Sequence, residues 1–335
     1  SGHFTLATSL PGVFWNDGTL KVTQPGSSTV VLTDDFTGEN TSFILNVTES
    51  LQNTPVHAGE LVNFASSVPA GDLNQDGFPD AILGIGEASV LGHQSGGVFI
   101  YEGTSVGLNI TPVRVISGAM RSNRMGSKIH LADLNDDGLS DLIVGAYRAH
   151  VNANYGGAVY IYQGIPNGFF EPEPSMVLAQ NTTYAEFGYD MTTCDFDGDS
   201  HLDLAVAARS FEDREASPVS SNQGAVFIYK GGATGVSPQP HQIVFGQKLN
   251  HAGEWEYSAN MRLGKSLAAG NLNNDAYCDL VVGAVAPIDS TGDDGAVLIY
   301  AGQPQSDFVF GGISTSPHLA IKRTDGLTKT QLGHS

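Results

Sequence analysis

A short acidic segment followed by an apolar run occurs four times in the chain, and this repetition constrains the fold more than any other feature. The copies begin at Asp72, Asp133, Asp195 and Asn271, and they read DLNQDGFPDAILG, DLNDDGLSDLIVG, DFDGDSHLDLAVA and NLNNDAYCDLVVG. Their starts lie 61, 62 and 76 residues apart. Such long repeats indicate an architecture in which each copy buries its apolar face against the next copy.

Two further signals accompany each copy. A start signal made of a large apolar residue and a small residue lies at 64–65, 125–126, 187–188 and 263–264. After the acidic segment comes an alternating apolar strand bounded by glycine, namely GGVFIYEG, GGAVYIYQG, QGAVFIYKG and DGAVLIYAG. Each unit of about 60 residues therefore predicts four strands joined by loops, without a long helix, which is the size of one propeller blade.

The acidic segment looks at first like the calcium loop of an EF-hand, but it differs at a decisive position. An EF-hand needs a bidentate glutamate at position 12 and a helix on each side. Position 12 of the four copies is Leu83, Val144, Val206 and Val282, and apolar side chains cannot ligate calcium. The β-branched residues after each segment favour a buried strand instead. The sequence therefore predicts a loop between two strands.

Positions 1, 3, 5 and 9 of each loop carry oxygen ligands, and position 7 offers a backbone carbonyl. Because calcium takes six to eight oxygen ligands in a tolerant geometry, each loop is predicted to hold one ion. Gly77 and Gly138 at position 6 are expected at positive φ, where glycine carries no steric cost. The predicted ligands are Asp72, Asn74, Asp76, Phe78, Asp80, Asp133, Asn135, Asp137, Leu139, Asp141, Asp195, Asp197, Asp199, His201, Asp203, Asn271, Asn273, Asp275, Tyr277 and Asp279.

The four loops are not equally acidic. Their ligand positions carry three, three, four and two carboxylates, in chain order. In the fourth loop Ala276 also stands where glycine is expected, and an alanine held at positive φ costs roughly 1 kcal/mol. We therefore predict three to four bound calcium ions, with the weakest binding at the fourth loop.

Charge and hydropathy exclude several classes of partner. Acidic residues outnumber basic ones 35 to 15, giving a formal net charge of -20, so neither nucleic acid nor an anionic membrane surface is an expected partner. No apolar run approaches the roughly 18 residues of a membrane helix, so no direct membrane insertion is expected in this segment. Metal binding at the acidic loops accounts for much of the charge excess.

Four glycosylation sequons, at Asn40, Asn46, Asn109 and Asn181, favour an extracellular protein, secreted or at the cell surface. Cys194 and Cys278 are too few for a disulfide framework. The simplest interpretation is two separate buried thiols that pack as small apolar residues. A recognisable signal peptide is missing, which predicts a mature or excised segment.

The two ends of the chain fall part-way through repeats. Residues 331–335, QLGHS, match a repeat start. We predict an atypical partial blade with a long insertion at 1–62, and the start of a further repeat at 331–335. The four full blades are predicted at about 63–124, 125–186, 187–262 and 263–330. The ends would complete one shared blade, or the chain would be a piece of a longer protein, which is the favoured alternative.

The combined pattern resembles the FG-GAP repeat. That repeat builds the seven-bladed β-propeller of integrin α-subunits, and a similar propeller follows the catalytic domain of glycosylphosphatidylinositol-specific phospholipase D. The resemblance covers residues 63 to 330, although Phe64-Ala65 lacks the second glycine of the start signal and only about five blades or part-blades are visible. It implies an all-β propeller of four-stranded blades, with calcium loops that stiffen one face and loops on the other face that contact partners.

The leading functional prediction is a non-catalytic, calcium-stabilised extracellular propeller for adhesion or protein–protein interaction, with a protein or matrix partner. The alternatives are the accessory propeller of a secreted hydrolase, such as a phospholipase D, and a structural subunit of an extracellular filament or coat. No catalytic residues are expected, because motifs such as G-x-S-x-G and H-E-x-x-H are missing. Predicted contact loops are 86–96, 147–156, 209–223, 251–262 and 286–294, with Tyr147, Arg148, Tyr155, Phe211, Arg214, Trp255 and Tyr257.

Overall fold

A computed structural model shows a chain of two compact units, Ser1–Phe64 and Ala65–Ser335. The residues it describes are 4–8, 13–16, 19–22, 26–34, 40–47, 70–213, 222–249, 255–257, 259–285, 295–304 and 312–322. All the elements among these residues are β-strands. These residues include no helix that is long and apolar enough to cross a membrane.

The described residues of the first unit form five strands. β1 pairs with β4 and β4 with β5 in an antiparallel sheet, while β2 and β3 form a hairpin. The assignment of this unit to a partial blade stays a prediction. The strands are β1 (Phe4–Thr8), β2 (Val13–Asn16), β3 (Thr19–Val22), β4 (Gly26–Asp34) and β5 (Asn40–Val47).

The second unit begins with two antiparallel sheets of four strands each. The first sheet has the order β11-β8-β7-β6, and the second β12-β13-β14-β15. A small hairpin, β9–β10, lies between the third and fourth strands of the first sheet. The strands are β6 (Ala70–Gly71), β7 (Asp80–Ile85), β8 (Gly97–Tyr101), β9 (Gly103–Thr104), β10 (Gly107–Leu108), β11 (Arg114–Ser117), β12 (Lys128–Ala132), β13 (Asp141–Ala146), β14 (Ala158–Tyr162) and β15 (Met176–Ala179).

Two more sheets of the same kind follow, with the orders β16-β17-β18-β19 and β22-β23-β24-β27. The hairpin β20–β21 lies between them, which explains the longer third repeat spacing. The strands are β16 (Phe187–Cys194), β17 (Asp203–Ala208), β18 (Ala225–Tyr229), β19 (Gln242–Phe245), β20 (Gln247–Leu249), β21 (Trp255–Tyr257), β22 (Leu267–Gly270), β23 (Asp279–Ala284), β24 (Ala296–Tyr300), β25 (Gly302–Gln303), β26 (Gly312–Ile313) and β27 (Leu319–Lys322). The predicted order of strand, acidic loop, strand, loop and strand is confirmed in the second, third and fourth sheets.

The second and third sheets are each buried between two neighbouring sheets, because alternate residues of their middle strands face opposite ways. In β13, Leu142 and Val144 belong to a core shared with the first sheet, whereas Ile143 belongs to a core shared with the third. In β18, Phe227 faces the second sheet and Val226 faces the fourth. The continuous apolar runs of these strands therefore reflect burial on both faces.

The start signals connect successive sheets through the backbone. Gly157, at the start of the third strand of the second sheet, forms a parallel bridge with Phe187 of the next sheet. A Cβ at Gly157 would lie 2.1 Å from the Phe187 carbonyl oxygen, and Gly157 has a φ of 89°. Gly96 bridges to Met125 and Gly224 to Leu263 in the same way. Glycine is needed here because only hydrogen fits between neighbouring backbones.

The prediction of two separate thiols is wrong. Cys194 and Cys278 form a disulfide with a Cα–Cα distance of 6.0 Å. Cys194 ends β16, directly before the third acidic loop, and Cys278 lies inside the fourth loop. The neighbouring positions of the two loops bring the sulfurs together, although 84 residues separate the cysteines in sequence. The bond therefore joins two adjacent sheets at their acidic ends.

Candidate metal centre

The first acidic loop, residues 72–80, turns its predicted ligands toward its own backbone. Asp72 accepts hydrogen bonds from the amides of Asp76 and Gly77, both at 3.0 Å. Asn74 Oδ1 accepts from the Asp76 amide at 3.1 Å, and Asp76 Oδ1 from the Phe78 amide at 2.8 Å. Gly77 has a φ of 90°, as the sequence predicted. Oxygens from positions 1, 3 and 5 therefore gather inside one turn.

The second loop, residues 133–141, repeats this pattern. Asp133 accepts from the amides of Asp137 at 3.2 Å and Gly138 at 2.8 Å. Asn135 Nδ2 donates to Asp137 Oδ2 at 2.9 Å, as Asn74 does to Asp76 at 2.9 Å. Gly138 has a φ of 82°, which confirms the prediction of positive φ. The same residue spacing thus gives the same turn in two sheets.

The aspartate at position 9 fastens each loop to its sheet. Asp80, Asp141, Asp203 and Asp279 are all at most 2% exposed. In the third loop, residues 195–203, Asp203 accepts from the Phe196 amide at 2.9 Å and from the Gly231 amide, past the third strand, at 2.8 Å. Equivalent pairs of backbone donors hold the other three carboxylates. A carboxylate has about four acceptor positions, so this clamp leaves lone pairs for an ion.

Burial of these carboxylates has an electrostatic cost. Burial raises the pKa of Asp203 to about 6, against the lowering effect of its two backbone donors. Burial also raises the pKa of Asp141, again opposed by backbone donors and assisted by the nearby Asp137 and Asp133. Desolvation and like charges both disfavour the ionised form. A bound cation would offset both effects.

The third loop brings its carboxylates closest together. One oxygen each of Asp195, Asp197 and Asp203 lies within 4.8 Å of the other two. Calcium–oxygen distances are about 2.3–2.6 Å, so ligands of one calcium ion lie no more than about 5 Å apart. The donor set consists only of hard oxygen ligands. The residues present at this loop therefore fit a calcium ion.

A lysine from the neighbouring strand also reaches the third loop. Lys230 follows β18, and its ammonium contacts Asp197 Oδ2 and, at 2.9 Å, Asp199 Oδ2. Burial lowers the pKa of Lys230, but the contacts with the two carboxylates outweigh it, so the pKa is raised. The pKa of Asp199 is lowered, because Lys230 and the His201 amide outweigh burial. The most acidic loop thus has an internal counter-ion.

The fourth loop, residues 271–279, closes differently. Ala276 is not among the described residues with positive φ, so the strain expected there from the sequence is avoided. Asn271 Nδ2 instead donates to the Asp275 carbonyl. Asp275 still accepts from the Tyr277 amide at 2.8 Å, and Asn273 from the Asp275 amide at 3.0 Å. Position 1 of this loop therefore fills the turn with an amide in place of a carboxylate.

Neighbouring loops contact one another. His201 Nδ1, in the third loop, pairs with Asp136 Oδ2 of the second loop. A Cβ at Gly198 of the third loop would lie 2.5 Å from Tyr277 Cε1 of the fourth. In both pairs, position 7 of one loop meets position 4 of the preceding loop. The acidic loops thus form one contiguous surface across the second, third and fourth sheets.

Comparison with known families agrees with the repeated pattern of strands and loops. The family model described as FG-GAP-like repeat matches residues 133–206, and the FG-GAP repeat model matches residues 187–229. The chain contains FG-GAP repeats. Together with the four-stranded sheets of the second unit, this makes the fold all-β and of the β-propeller class, as predicted.

The chain is also similar, over part of its length, to a phospholipase D and to integrin alpha-subunits. A phosphatidylinositol-glycan-specific phospholipase D of Mus musculus is 34% identical over 146 residues, which cover 42% of this chain and 17% of that protein. Integrin alpha-5 of Xenopus laevis is 29% identical over 249 residues, which cover 72% of this chain and 21% of the integrin. Integrin alpha-4 of Xenopus laevis is 29% identical over 263 residues, which cover 77% of this chain and 23% of that integrin. The chain spans about a fifth of the length of these relatives.

The predicted contact residues divide into several groups. Tyr147 and Arg148 follow β13 at the end opposite its acidic loop. Tyr155 stacks on the exposed Tyr184 with ring centroids 5.3 Å apart. Phe211 is partly buried and packs against Phe227 at the core between sheets, so its role as a contact residue stays a prediction. Arg214, the side chains of Trp255 and Tyr257, and residues 286–294 lie outside the described residues.

The sequons differ in accessibility. Asn181 is exposed. Asn109 is half-buried, and its Nδ2 donates to Glu102 Oε2 at 3.0 Å. The side chains of Asn40 and Asn46 lie outside the described residues, as do the start signal at Phe64-Ala65 and residues 331–335. Asn181 is therefore the sequon whose described environment best suits glycosylation.

Three features of the FG-GAP loops were missed from the sequence. The disulfide, the Lys230 counter-ion and the His201–Asp136 pair all join residues from different repeats or strands. The sequence does contain a signal for Lys230. In each repeat a glycine follows the third strand, and the residue before that glycine is, in chain order, Glu102, Gln163, Lys230 and Ala301. The lysine occurs in the repeat whose loop has four carboxylates.

Proposed function

We propose that the chain is a calcium-stabilised extracellular β-propeller domain that mediates adhesion or another protein–protein interaction and carries out no catalysis itself. The observation that supports it most is the approach of three carboxylates of the third loop to within 4.8 Å of one another. The integrin relatives, matched over 72% and 77% of this chain, favour the interaction role. We take the loop residues predicted from the sequence as the calcium ligands.

Calcium would supply charge neutralisation at each loop. The chain's own residues do the rest: the position 9 aspartate ties the loop to the sheet, and the side chains at positions 1, 3 and 5 hold the turn. Because the loops of neighbouring sheets contact one another, order in one loop supports the next. The effect of the ion is therefore greater rigidity of the sheets at their acidic ends.

An extracellular location is consistent with two observations. Disulfides form and persist in oxidising compartments and are rare in the cytosol, and Cys194 is bonded to Cys278. The Asn181 sequon is exposed. We infer secretion or display at the cell surface, with the chain as part of a larger protein or assembly.

A second candidate function is the accessory propeller of a secreted hydrolase. It is favoured by the 34% identity to the Mus musculus phospholipase D over 146 residues. That identity is higher than the 29% of the two Xenopus laevis integrins, but it covers a smaller part of this chain. Both functions share the calcium-stabilised framework, so the calcium test applies to each.

The test is thermal unfolding of the full chain in EDTA and in calcium. Binding to the folded state alone stabilises by about 2.7 kcal/mol per site at 100-fold excess over Kd, so the midpoint should rise by about 5 °C or more in calcium. Magnesium at equal concentration is the control, because it tolerates the flexible calcium geometry poorly. A midpoint equal in EDTA and calcium would refute the proposal.

A further inference from the structure

We propose that a cluster of tyrosines and cations at the end of the sheets opposite the acidic loops binds one aspartate or glutamate side chain of a protein partner. The cluster consists of Tyr147, Arg148, Tyr189, Arg209 and Lys265. This inference rests on the proposed interaction function and names the chemistry of the partner group. It concerns a different end of the sheets from the calcium loops.

The members of the cluster come from equivalent places in adjacent repeats. Tyr189 and Lys265 each directly follow the glycine of a start signal. Tyr147 and Arg209 each directly follow the last residue of a second strand, β13 or β17. The strands β13 and β17 begin at the acidic loops, so their far ends lie on the opposite side. The repeat therefore places these side chains together at the ends of the second, third and fourth sheets.

Tyr189 is the centre of the cluster. Its hydroxyl oxygen accepts hydrogen bonds from Lys265 Nζ at 2.8 Å and from Arg209 Nη1 at 2.9 Å. The guanidinium carbon of Arg209 lies 3.9 Å from the centre of the Tyr189 ring. A β-bulge between Phe187 and Met191 interrupts the strand here, and bulges re-aim side chains at strand ends.

Arg209 is held in this position by a carboxylate, whereas Lys265 has N–H groups available to donate hydrogen bonds to a ligand. Arg209 Nε donates a hydrogen bond to Glu186 Oε2 at 2.5 Å, and Arg209 Nη2 donates one to Glu186 Oε1 at 3.4 Å. Lys265 has no carboxylate partner in the part of the chain that the structure describes, and one of its three N–H groups is used on Tyr189. The Tyr189 O–H also has no acceptor among those residues. An ammonium and a hydroxyl thus present hydrogen-bond donors side by side.

A second cation extends the positive charge. Arg148 lies with its guanidinium carbon 5.7 Å from the centre of the Tyr147 ring. The Tyr147 ring in turn meets the Tyr189 ring edge-on, with centroids 5.3 Å apart. Among the described residues, Arg209 is the one cation of the cluster that pairs with a carboxylate, Glu186, in a chain whose net charge is -20. All five members of the cluster are partly buried, which reduces screening by salt.

The charge of the whole chain decides which anion suits the cluster. A polyanion would be repelled by the net charge of -20, because the summed field acts over the whole surface. A single carboxylate on a neutral or basic segment avoids most of that repulsion. Adjacent ammonium and hydroxyl donors also match its two oxygens, and hydrogen bonds between ionised groups are the strong ones. The partner group is therefore a lone acidic side chain.

The experiment titrates the calcium-loaded full chain with two capped tripeptides, acetyl-Gly-Asp-Gly-amide and acetyl-Gly-Asn-Gly-amide. The probe is the NMR signal of lysine labelled with carbon-13 at Cε. The aspartate peptide should shift the Lys265 signal saturably, and the asparagine peptide should not. In a second sample, arginine is labelled with carbon-13 at Cζ. K265Q should weaken binding of the aspartate peptide about fivefold, read from these arginine signals, as expected for one partly exposed charge contact. Y189F should weaken it less.

The exposed Arg121, outside the cluster, provides the control, and R121Q should bind the aspartate peptide as the wild type does. Equal shifts from both peptides, or unchanged affinity in K265Q, would overturn the inference. Tighter binding of inorganic phosphate than of the aspartate peptide would overturn the assignment to a carboxylate. The melting temperature of K265Q in calcium and EDTA tests the calcium proposal separately. A chain that binds the peptide but ignores calcium would reject that proposal alone.

Discussion

The third and fourth acidic loops share a spacing but are held by different interactions. The third loop has four carboxylates, of which Asp197 and Asp199 contact Lys230. The fourth has two, and an amide of Asn271 bonds to the backbone inside its turn. Cys278 of the fourth loop is bonded to Cys194, directly before the third. The third loop balances its extra carboxylates with a lysine, whereas the fourth has fewer carboxylates and closes its turn with the Asn271 amide.

The comparison shows that the loop shape does not require a full set of ligands. In both loops the position 9 aspartate, Asp203 or Asp279, accepts one amide from its own loop and one from past the third strand. This clamp is common to loops that differ in charge. The loop geometry is therefore a property of the sheet and of this clamp. The proposed calcium binding would depend on the side chains at positions 1, 3 and 5 together with the position 9 aspartate.

The largest expected effect concerns the covalent link. Replacing both Cys194 and Cys278 by alanine should lower the free energy of unfolding by about 4 kcal/mol, because the bond closes a loop of 84 residues. Urea unfolding at fixed calcium measures the change. Amide hydrogen exchange should rise more in the fourth loop than in the third, since the third keeps its other contacts. Reduction of the wild type should reproduce both results. A loss below about 1 kcal/mol would contradict the prediction.

The next effect separates the clamp from the ion. Asp203→Asn and Asp279→Asn should each cost about 3 kcal/mol in EDTA, because each leaves a buried backbone donor facing an amide. In calcium, Asp203→Asn should lower the free energy of unfolding more than Asp279→Asn does, because it also weakens the proposed calcium site of the third loop. Urea unfolding of both variants in the two buffers measures this difference. An equal response of the two variants to calcium would remove the distinction between the loops.

The smallest expected effect concerns the internal counter-ion. Lys230→Gln should raise the calcium affinity of the third loop about threefold to tenfold, because a cation no longer competes for Asp197 and Asp199. The range reflects the modest strength of partly exposed ion pairs. Isothermal titration calorimetry measures it. The matched control is Glu102→Gln, at the equivalent place in the first repeat, which should not raise affinity. Unchanged affinity in Lys230→Gln would show that the lysine does not compete.

Much of the fold could be predicted because its signals are local. The alternation in GAVYIYQG and the apolar run after each loop reflect pairing and burial within one repeat. The turn of the first loop was equally readable, since Gly77 at position 6 adopts the expected positive φ. Repetition then turned weak single signals into a consistent prediction of four-stranded blades.

The missed features depend on how one repeat meets the next. Cys194 and Cys278 approach only because consecutive loops are neighbours, and single-sequence spacing does not contain that distance. The fourth loop avoids the strain predicted for Ala276 and forms a different hydrogen bond, from Asn271. Such a local alternative cannot be predicted from the residue pattern of the other loops. The hairpin β20–β21 lies in an insertion, where the repeat pattern gives no register.

The middle strands β13, β17 and β18 have neighbours on both faces, so their side chains serve two interfaces at once. Adding one residue inside such a strand would exchange the two sets of side chains and place each against the wrong sheet. Lengthening is thereby restricted to the connections, which is where the 76-residue spacing places its extra residues. The connections at the strand ends are therefore free to change in length and to form new binding surfaces, while the number of residues in each middle strand stays fixed.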